Sequence, residues 1–486
     1  MSDDKRSRLN IKIVDDQGTL SITCKPKRDK AWHADLPPTH AKERGTVLIN
    51  ESGRTSFEER VRHRYAIEST PLVYRLFIQR PAIPRALRWE IVPEPIRTNA
   101  FDFQRSDIES AVRDHGGRCF LAHDMGCGKT MISLGIVAQY RSPESRHLVI
   151  CPSYLRSSWW NEISRWMGLD ARVVFKTKDD LTSNPFVVIS YDLAVRKLRE
   201  IQGVHWTTIT CDESHYLKSR AAKRTKFLSP ILHKCPHVLL LSGTPALSRP
   251  CELFTQLQIL YPKSFKQFSL FARRYCDLKK TVWGWDSSGS TNPDELSVVL
   301  AKCMLRRLKR DVLKDLPRKM RKRVRVPLSR KESKELQEHF VKLRELNCLL
   351  SKVTVASQES RNKAFERQSL VSEMFRATAR AKLKGVCDYV KGVCQDNAHK
   401  IILFGFHQIT MNALEELVSN QLKERFIRID GKTPQLERQS LVDEFQDPNG
   451  ARIAVLSIGA CNSGITLTSC HYTIFCELTW TPSLMQ

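Results

Sequence analysis

A chain of 486 residues is too long for one ordinary hydrophobic core, and 41% apolar with 8% aromatic content is globular rather than disordered or fibrous, so two to four domains are expected. Seventy-nine Lys and Arg against 52 Asp and Glu leave a net charge of +27, which points to an anionic partner. Nucleic acid comes first, because phosphate neutralisation rewards a broad basic surface; a merely soluble basic protein is the plainer alternative. No apolar stretch of spanning length and no basic amphipathic helix supports a membrane role. Fifteen cysteines are scattered singly with no Cys-x-x-Cys pair, which argues against a zinc module and for reduced thiols in an intracellular compartment.

Residues 1 to about 60 are polar and charge-rich, include Pro37-Pro38, and open on a charged stretch with no apolar core, so they are not a secretory signal but a basic, poorly structured N-terminal arm. Apolar residues return over about 66 to 92, enough for a small accessory element. From about 98 short apolar runs alternate with helical segments: 119–122, 148–151, 186–189, 207–211 and 238–241. This alternation predicts a parallel α/β sheet, whose ligands bind beyond the carboxyl ends of the strands. A long helical stretch over about 329 to 396 leads to a second set of runs, 400–404, 425–429, 453–456 and 473–475, and predicts a second α/β lobe. The expected organisation is 1–97 arm and accessory element, 98–260 first lobe, 261–327 inter-lobe helical insertion or linker, and 328–486 second lobe.

After the first run comes Ala122-His-Asp-Met-Gly-Cys-Gly-Lys-Thr130 and then an apolar segment of helix length, the order in which a phosphate-binding loop is built. Gly126 and Gly128 let the backbone curl so that several N–H groups point at one spot, to which a helix starting near Lys129 adds its positive end. Lys129 can reach the β- and γ-phosphates and Thr130 can ligate Mg²⁺, so Asp124, Met125, Gly126, Cys127, Gly128, Lys129 and Thr130 are the candidate nucleotide-binding residues. His123 stands where the general pattern has its first glycine. Upstream, Gln104 has a donor and an acceptor with which to read an adenine edge.

Asp212-Glu213 ends the run 207–211, 83 residues after Lys129. Asp212 is suited to hold Mg²⁺, usually through water, and Glu213 to orient and deprotonate the attacking water, which makes Lys129, Asp212 and Glu213 the candidate catalytic residues. Ser242-Gly-Thr-Pro245 ends the next run, where the hydroxyls of Ser242 and Thr244 can bond His215. The stretch 306–325 holds eleven Lys and Arg in twenty residues; a solvated helix face, a DNA-phosphate track and a nuclear-import signal are its alternative readings.

Taken in order, Gln104, 122–130, Cys151-Pro152, Asp212-Glu-Ser-His215, Ser242-Gly-Thr-Pro245, Arg428-Ile-Asp-Gly431 and 457–467 resemble the Swi/Snf-related family of double-stranded DNA translocases within helicase superfamily two, over roughly residues 98 to 486. The Asp-Glu-Ser-His form, with Arg274-Tyr-Cys-Asp277, the stretch 283–290 and Met304-Leu-Arg-Arg-Leu-Lys309, is similar to the annealing-helicase (HARP-type) branch, which rewinds DNA and remodels stalled forks. The resemblance implies an α/β fold of two RecA-like parallel-sheet lobes with helical insertions, ATP and Mg²⁺ bound between them, and nucleotide state relayed through His215, Ser242 and Thr244. It also implies sequence-independent contacts to duplex or forked DNA around Ser190, Tyr191, His407, Gly464 and Thr466.

The implied protein is a DNA-dependent ATPase of the nucleus, active in DNA repair with replication and repair proteins as partners. A nucleosome-remodelling ATPase and a catalytically impaired DNA-binding regulator are the alternatives. By the same resemblance the sixth motif, whose arginines reach the γ-phosphate, starts at Gln486, so the second lobe is expected to be incomplete at its C-terminal end. This chain is then expected to bind ATP and turn it over slowly, with extension through that motif restoring DNA-stimulated hydrolysis.

Overall fold

The structure, a computed structural model, describes residues 87–246, 249–282, 284–313, 319–328, 330–351, 357–396, 399–461 and 467–479, together with five strands nearer the N-terminus. Those strands are β1 (Arg8–Ile13), β2 (Leu20–Lys25), β3 (Lys42–Glu43), β4 (Thr46–Ile49) and β5 (Ala66–Ser69), in the order β3-β4-β2-β1-β5. All neighbours in that sheet are antiparallel except β1 and β5.

The described residues fall into two compact units, the first within Met1–Lys279 and Asp286–Leu316, the second within Lys280–Trp285 and Pro317–Gln486. In the first, helix α1 (Asp102–Arg113) begins where the Gln104 side chain accepts the Phe101 N–H at 2.9 Å, capping one of the orphan donors of a helix start. Strand β6 (Arg118–Leu121) leads through the glycine loop to α2 (Lys129–Ala138), which is buried from Met131 to Ala138 and so reads as apolar all round. Then follow β7 (His147–Cys151), α3 (Arg156–Met167), β8 (Arg172–Val173), β9 (Phe186–Ser190), α4 (Tyr191–Arg196), β10 (Thr208–Cys211) and β11 (His237–Leu241).

Two short strands, β12 (Lys279–Thr281) and β13 (Gly284–Asp286), pair as a ribbon. A final edge strand, β14 (Met304–Leu305), completes a seven-stranded parallel sheet of order β14-β6-β11-β10-β7-β9-β8. Its inner strands are covered on both faces: Cys119, Leu121, Val149, Val188 and Leu239 pack to one side, Phe120, Leu148, Ile150, Val187 and Leu240 to the other. That two-sided burial is why they read as unbroken apolar runs.

Most of the stretch 261–327 falls within the first unit. Phe254, Phe271, Tyr275, Leu296 and Val299 form a satellite core. The buried Glu295 anchors it, accepting from Arg274 Nε and Nη2 at 2.6 and 2.5 Å and from Tyr275 Oη at 2.7 Å. This ion pair gives the Arg274-Tyr275 motif a structural role.

One buried histidine has a measurable consequence. His147, 2% exposed, has Ser145 Oγ at 2.9 Å from Nε2 and Thr208 Oγ1 at 2.8 Å from Nδ1, so a neutral ring satisfies both nitrogens. Burial pushes its pKa down to about 3 from the ordinary 6.5. A folded value below the unfolded one contributes stability that is present above pH 6.5 and lost as pH falls toward 3. By pH 4 about 3 kcal/mol of unfolding free energy is expected to go from this group alone. Urea denaturation against pH should show a flatter acid limb for His147→Gln; parallel limbs contradict this.

In the second unit α5 (Arg330–Ser351) and α6 (Gln358–Asp396) run antiparallel, Leu336 packing with Ala377 and Ala381, Leu346 with Leu370 and Met374. They precede β15 (Ile401–Gly405), α7 (Gln408–Glu416), β16 (Phe426–Ile429), β17 (Ile453–Ser457) and β18 (Tyr472–Phe475). These four strands form a parallel sheet of order β16-β17-β15-β18. The protein is thus an α/β chain with two parallel sheets.

Candidate active site

Gly126 (φ 86°) and Gly128 (φ 77°) hold the loop after β6 in the left-handed region, where a side chain adds strain. At Gly128 a Cβ would also lie 2.3 Å from Gln104 Nε2, so the Gln104 amide would have to shift. Buried Gln104 donates Nε2 to the Cys127 carbonyl at 3.1 Å while its oxygen accepts the Phe101 N–H. Each amide group thus makes one bond within the protein, and Gln104 fastens α1 to the phosphate loop. Lys129 Nζ folds back onto the His123 and Asp124 carbonyls at 3.0 and 3.3 Å. Burial pulls its pKa below the ordinary value, against the opposing charges of Glu213 and Asp212. Met125 is exposed, Cys127 is buried, and Thr130 is half-buried in the first turn of α2.

Beyond β10, Asp212 accepts from Trp159 Nε1 of α3 and from the Glu213 N–H, each at 2.8 Å. Burial, reinforced by the charge of Glu213, still pushes its carboxyl up to about 6. Glu213 has φ 48°, uncommon for a residue other than glycine. Its buried Oε2 lies 3.1 Å from His215 Nδ1 without hydrogen-bond geometry. His215 Nδ1 is also 3.3 Å from Ser242 Oγ, which accepts the Thr244 N–H at 3.2 Å. Ser242 thus meets His215 through its hydroxyl, whereas Thr244 joins through its backbone.

A carboxylate short of compensating charge, a second carboxylate oxygen with no hydrogen bond, and a glycine loop in which a side chain at Gly128 would displace the Gln104 amide fit a divalent cation with a phosphate chain. Asp212 and Thr130 would hold the Mg²⁺. Since native Asp212 keeps its proton to higher pH than the unfolded chain, its contribution to stability falls as pH rises from 3.8 through about 6. Asp212→Asn, which keeps an acceptor for Trp159, is expected to raise stability at pH 8 by on the order of 2 kcal/mol and to change little at pH 4. Equal shifts at both pH values in urea denaturation count against this.

The chain after β14 wraps the same loop from the sheet edge. The Ala122 N–H donates to the Leu305 carbonyl at 2.8 Å, Asp124 N–H to the Arg307 carbonyl at 3.0 Å, and Lys309 N–H to Asp124 Oδ2 at 3.0 Å. Arg306 Nη1 reaches the Ala122 carbonyl at 3.2 Å. Arg307 grips Asp107 of α1 through Nε at 3.1 Å and Nη2 at 2.7 Å, and its N–H donates to His123 Nδ1 at 3.2 Å. His123 Nε2 lies 3.1 Å from the other Asp107 oxygen, both side chains being fully buried. Burial alone would raise the Asp107 carboxyl; His123 and Arg307 outweigh it and hold it below the ordinary value. His123 therefore replaces the usual glycine because its ring is part of a buried clamp under the loop.

Within the basic run Arg307 is half-buried in the clamp, Arg306 and Lys309 are fastened to the loop yet exposed, and Arg321, Lys322, Arg323 and Arg325 are exposed. The clamp joins residues 184 and 200 apart, which no local pattern announces.

Ser190 and Tyr191, expected on the DNA track, are both buried. Ser190 Oγ caps α4 by accepting the Leu193 N–H at 3.4 Å, and Tyr191 Oη donates to the Asp212 carbonyl at 2.8 Å, bracing the end of β10. In the second unit His407 Nδ1 is 2.6 Å from Glu477 Oε1, whose partner oxygen accepts the Phe406 and His407 N–H groups at 2.6 and 2.9 Å. Phe406 remains exposed beside it. Arg428 pairs with Asp430 at 3.0 Å and with Glu415. Gly464, Thr466, Trp283 and 480–486 lie outside the described residues.

Residues 62–381 match the SNF2-related domain and residues 381–486 the helicase conserved C-terminal domain. The chain is 35% identical over 407 residues to the DNA annealing helicase and endonuclease ZRANB3 of Bos taurus, covering 81% of this chain and 37% of that protein. It is 36% identical over 393 residues to the SWI/SNF-related matrix-associated actin-dependent regulator of chromatin subfamily A-like protein 1 of Xenopus laevis, covering 80% and 39%. The chain thus spans about two fifths of the length of these curated relatives. Among solved structures, the Sulfolobus solfataricus SWI2/SNF2 ATPase core in complex with dsDNA is similar at 20% identity, covering 82% of this chain and 83% of that chain, with a TM-score of 0.40. With the family match running over well more than half of its length, this chain belongs to the SNF2-related family and joins that domain to a helicase C-terminal domain.

Proposed function

We propose that this protein is an ATP-driven double-stranded DNA translocase that rewinds or remodels DNA at stalled replication forks, a nuclear DNA-repair ATPase. The observation behind this reading is that Lys129 follows β6 and Asp212-Glu213 follows β10 on either side of β11, whose own end supplies Ser242. Ligand-binding residues at the carboxyl ends of adjoining parallel strands converge on one spot.

In the proposed reaction Lys129 and the loop N–H groups hold the β- and γ-phosphates, and Thr130 and Asp212 hold Mg²⁺. The metal, when bound, neutralises charge that develops on the phosphates. Glu213, with one oxygen free of hydrogen bonds, orients the attacking water and takes its proton. His215, shared between Glu213 and Ser242, relays the change to the end of β11. The net charge of +27 supports backbone contact with DNA of any sequence.

The name of ZRANB3 supports rewinding, whereas the chromatin-regulator name of the second relative favours a nucleosome-remodelling ATPase as the other reading. ATP-dependent closure of an unpaired bubble in a forked duplex, compared with sliding of a nucleosome on a linear duplex, separates them. Closure without sliding is the result expected here; sliding without closure overturns the fork assignment.

A further inference from the structure

The basic segment that leaves β14 has a relation to the loop that a nucleotide site with one lysine does not need. Lys309 is fixed at its backbone by the hydrogen bond from its N–H to Asp124 Oδ2 at 3.0 Å. Its ammonium then overhangs the loop: Nζ lies 3.4 Å from where a side chain would begin on Gly126. Gly126, at φ 86°, is one of the two residues whose backbone curls the loop toward a phosphate. Lys129 and Lys309 both act on the Cys127 thiol from nearby, and both draw its pKa down against burial. The two cations therefore stand close to the same turn of backbone.

Lys129 is occupied by loop carbonyls. Lys309 is exposed, and among the described residues no carboxylate pairs with its ammonium. Of the Asp124 carboxylate, one oxygen accepts the Lys309 N–H and the other faces Arg306 Nη2 at 3.9 Å, so neither is paired with the Lys309 ammonium. Behind it the Arg307–Asp107–His123 clamp ties the segment to the floor of the loop. An exposed ammonium on a flexible stem, anchored at its root beside an anion cradle, is suited to closing on a phosphate once one arrives.

We propose that Lys309 is a second phosphate-binding cation of the nucleotide site, reaching the phosphate chain from outside the loop that holds Lys129, with Arg307 as its positioning residue. This rests on the reading of the glycine loop as a nucleotide site. It assigns a direct role in nucleotide binding to a residue beyond the loop, from the segment in which the first unit ends.

The test is equilibrium binding of Mg·ATP to the whole chain at low ionic strength. Lys309→Gln is expected to weaken binding by about 5- to 20-fold, Lys309→Arg to stay within about twofold of wild type, and Arg310→Gln, an exposed neighbour paired with Asp311, to change nothing. The Lys309→Gln deficit should shrink in high salt, which a loss of loop structure would not do. Wild-type affinity in Lys309→Gln, alongside lost binding in Lys129→Ala, overturns the inference and leaves the site intact. An equal loss in Lys309→Arg overturns the charge role. A wild-type chain that binds no ATP overturns the site reading and this inference with it.

Discussion

Lys129→Ala is expected to weaken ATP binding at least about tenfold and to lower DNA-stimulated hydrolysis by about 10³-fold or more, because the charge facing the β- and γ-phosphates is removed from a buried, low-dielectric site. Glu213→Gln is expected to lose hydrolysis to a similar degree while ATP binding stays within about threefold, since the amide keeps the volume but cannot take the proton of the attacking water. Both variants should hold duplex DNA as wild type does, because neither touches the exposed basic surface. ATP turnover and ATP affinity measured side by side separate the two effects. Robust DNA-dependent turnover in either variant removes the residue from the role given to it.

The second large effect is expected for Asp107→Ala. Its buried carboxylate accepts from Arg307 Nε and Nη2 and faces His123, so truncation leaves a guanidinium and a ring without their anion under the phosphate loop. Breaking a buried pair from one side typically costs 3–5 kcal/mol; with Arg307 partly exposed, about 2–4 kcal/mol is expected here. Asp107→Ala with Arg307→Ala should cost less than the sum of the two single changes, by on the order of 1–2 kcal/mol. ATP affinity should fall with the single change as well, since the clamp holds the loop. Strict additivity in urea denaturation contradicts the clamp.

How much of this was legible follows from where the information lies. The inner strands were readable because burial on both faces demands unbroken apolar runs, and β6, β7, β9, β10 and β11 stand within a residue of their expected bounds. The edge strands β8 and β14, two residues each, were not, because so short a stretch has no period. The loop, Asp212-Glu213 and the Ser242–His215 approach were visible as strand-end chemistry. For Gln104, Ser190 and Tyr191 the residue types gave no sign of their partners within the protein. Their polar atoms satisfy the backbone of Phe101, Cys127, Leu193 and Asp212. Burial rather than residue type decides such partners, and burial is a tertiary property. The Arg306–Lys309 clamp depends on a chain return from nearly two hundred residues away, for which the basic composition of 306–325 is the only local sign.

ATP turnover by the protein with and without saturating duplex DNA of mixed sequence, run beside Lys129→Ala, tests the central claim most directly. Turnover raised at least about tenfold by duplex of any sequence, with the stimulation falling as salt rises and absent in Lys129→Ala, is the predicted result. Turnover indifferent to DNA, or stimulation that survives Lys129→Ala, would contradict it.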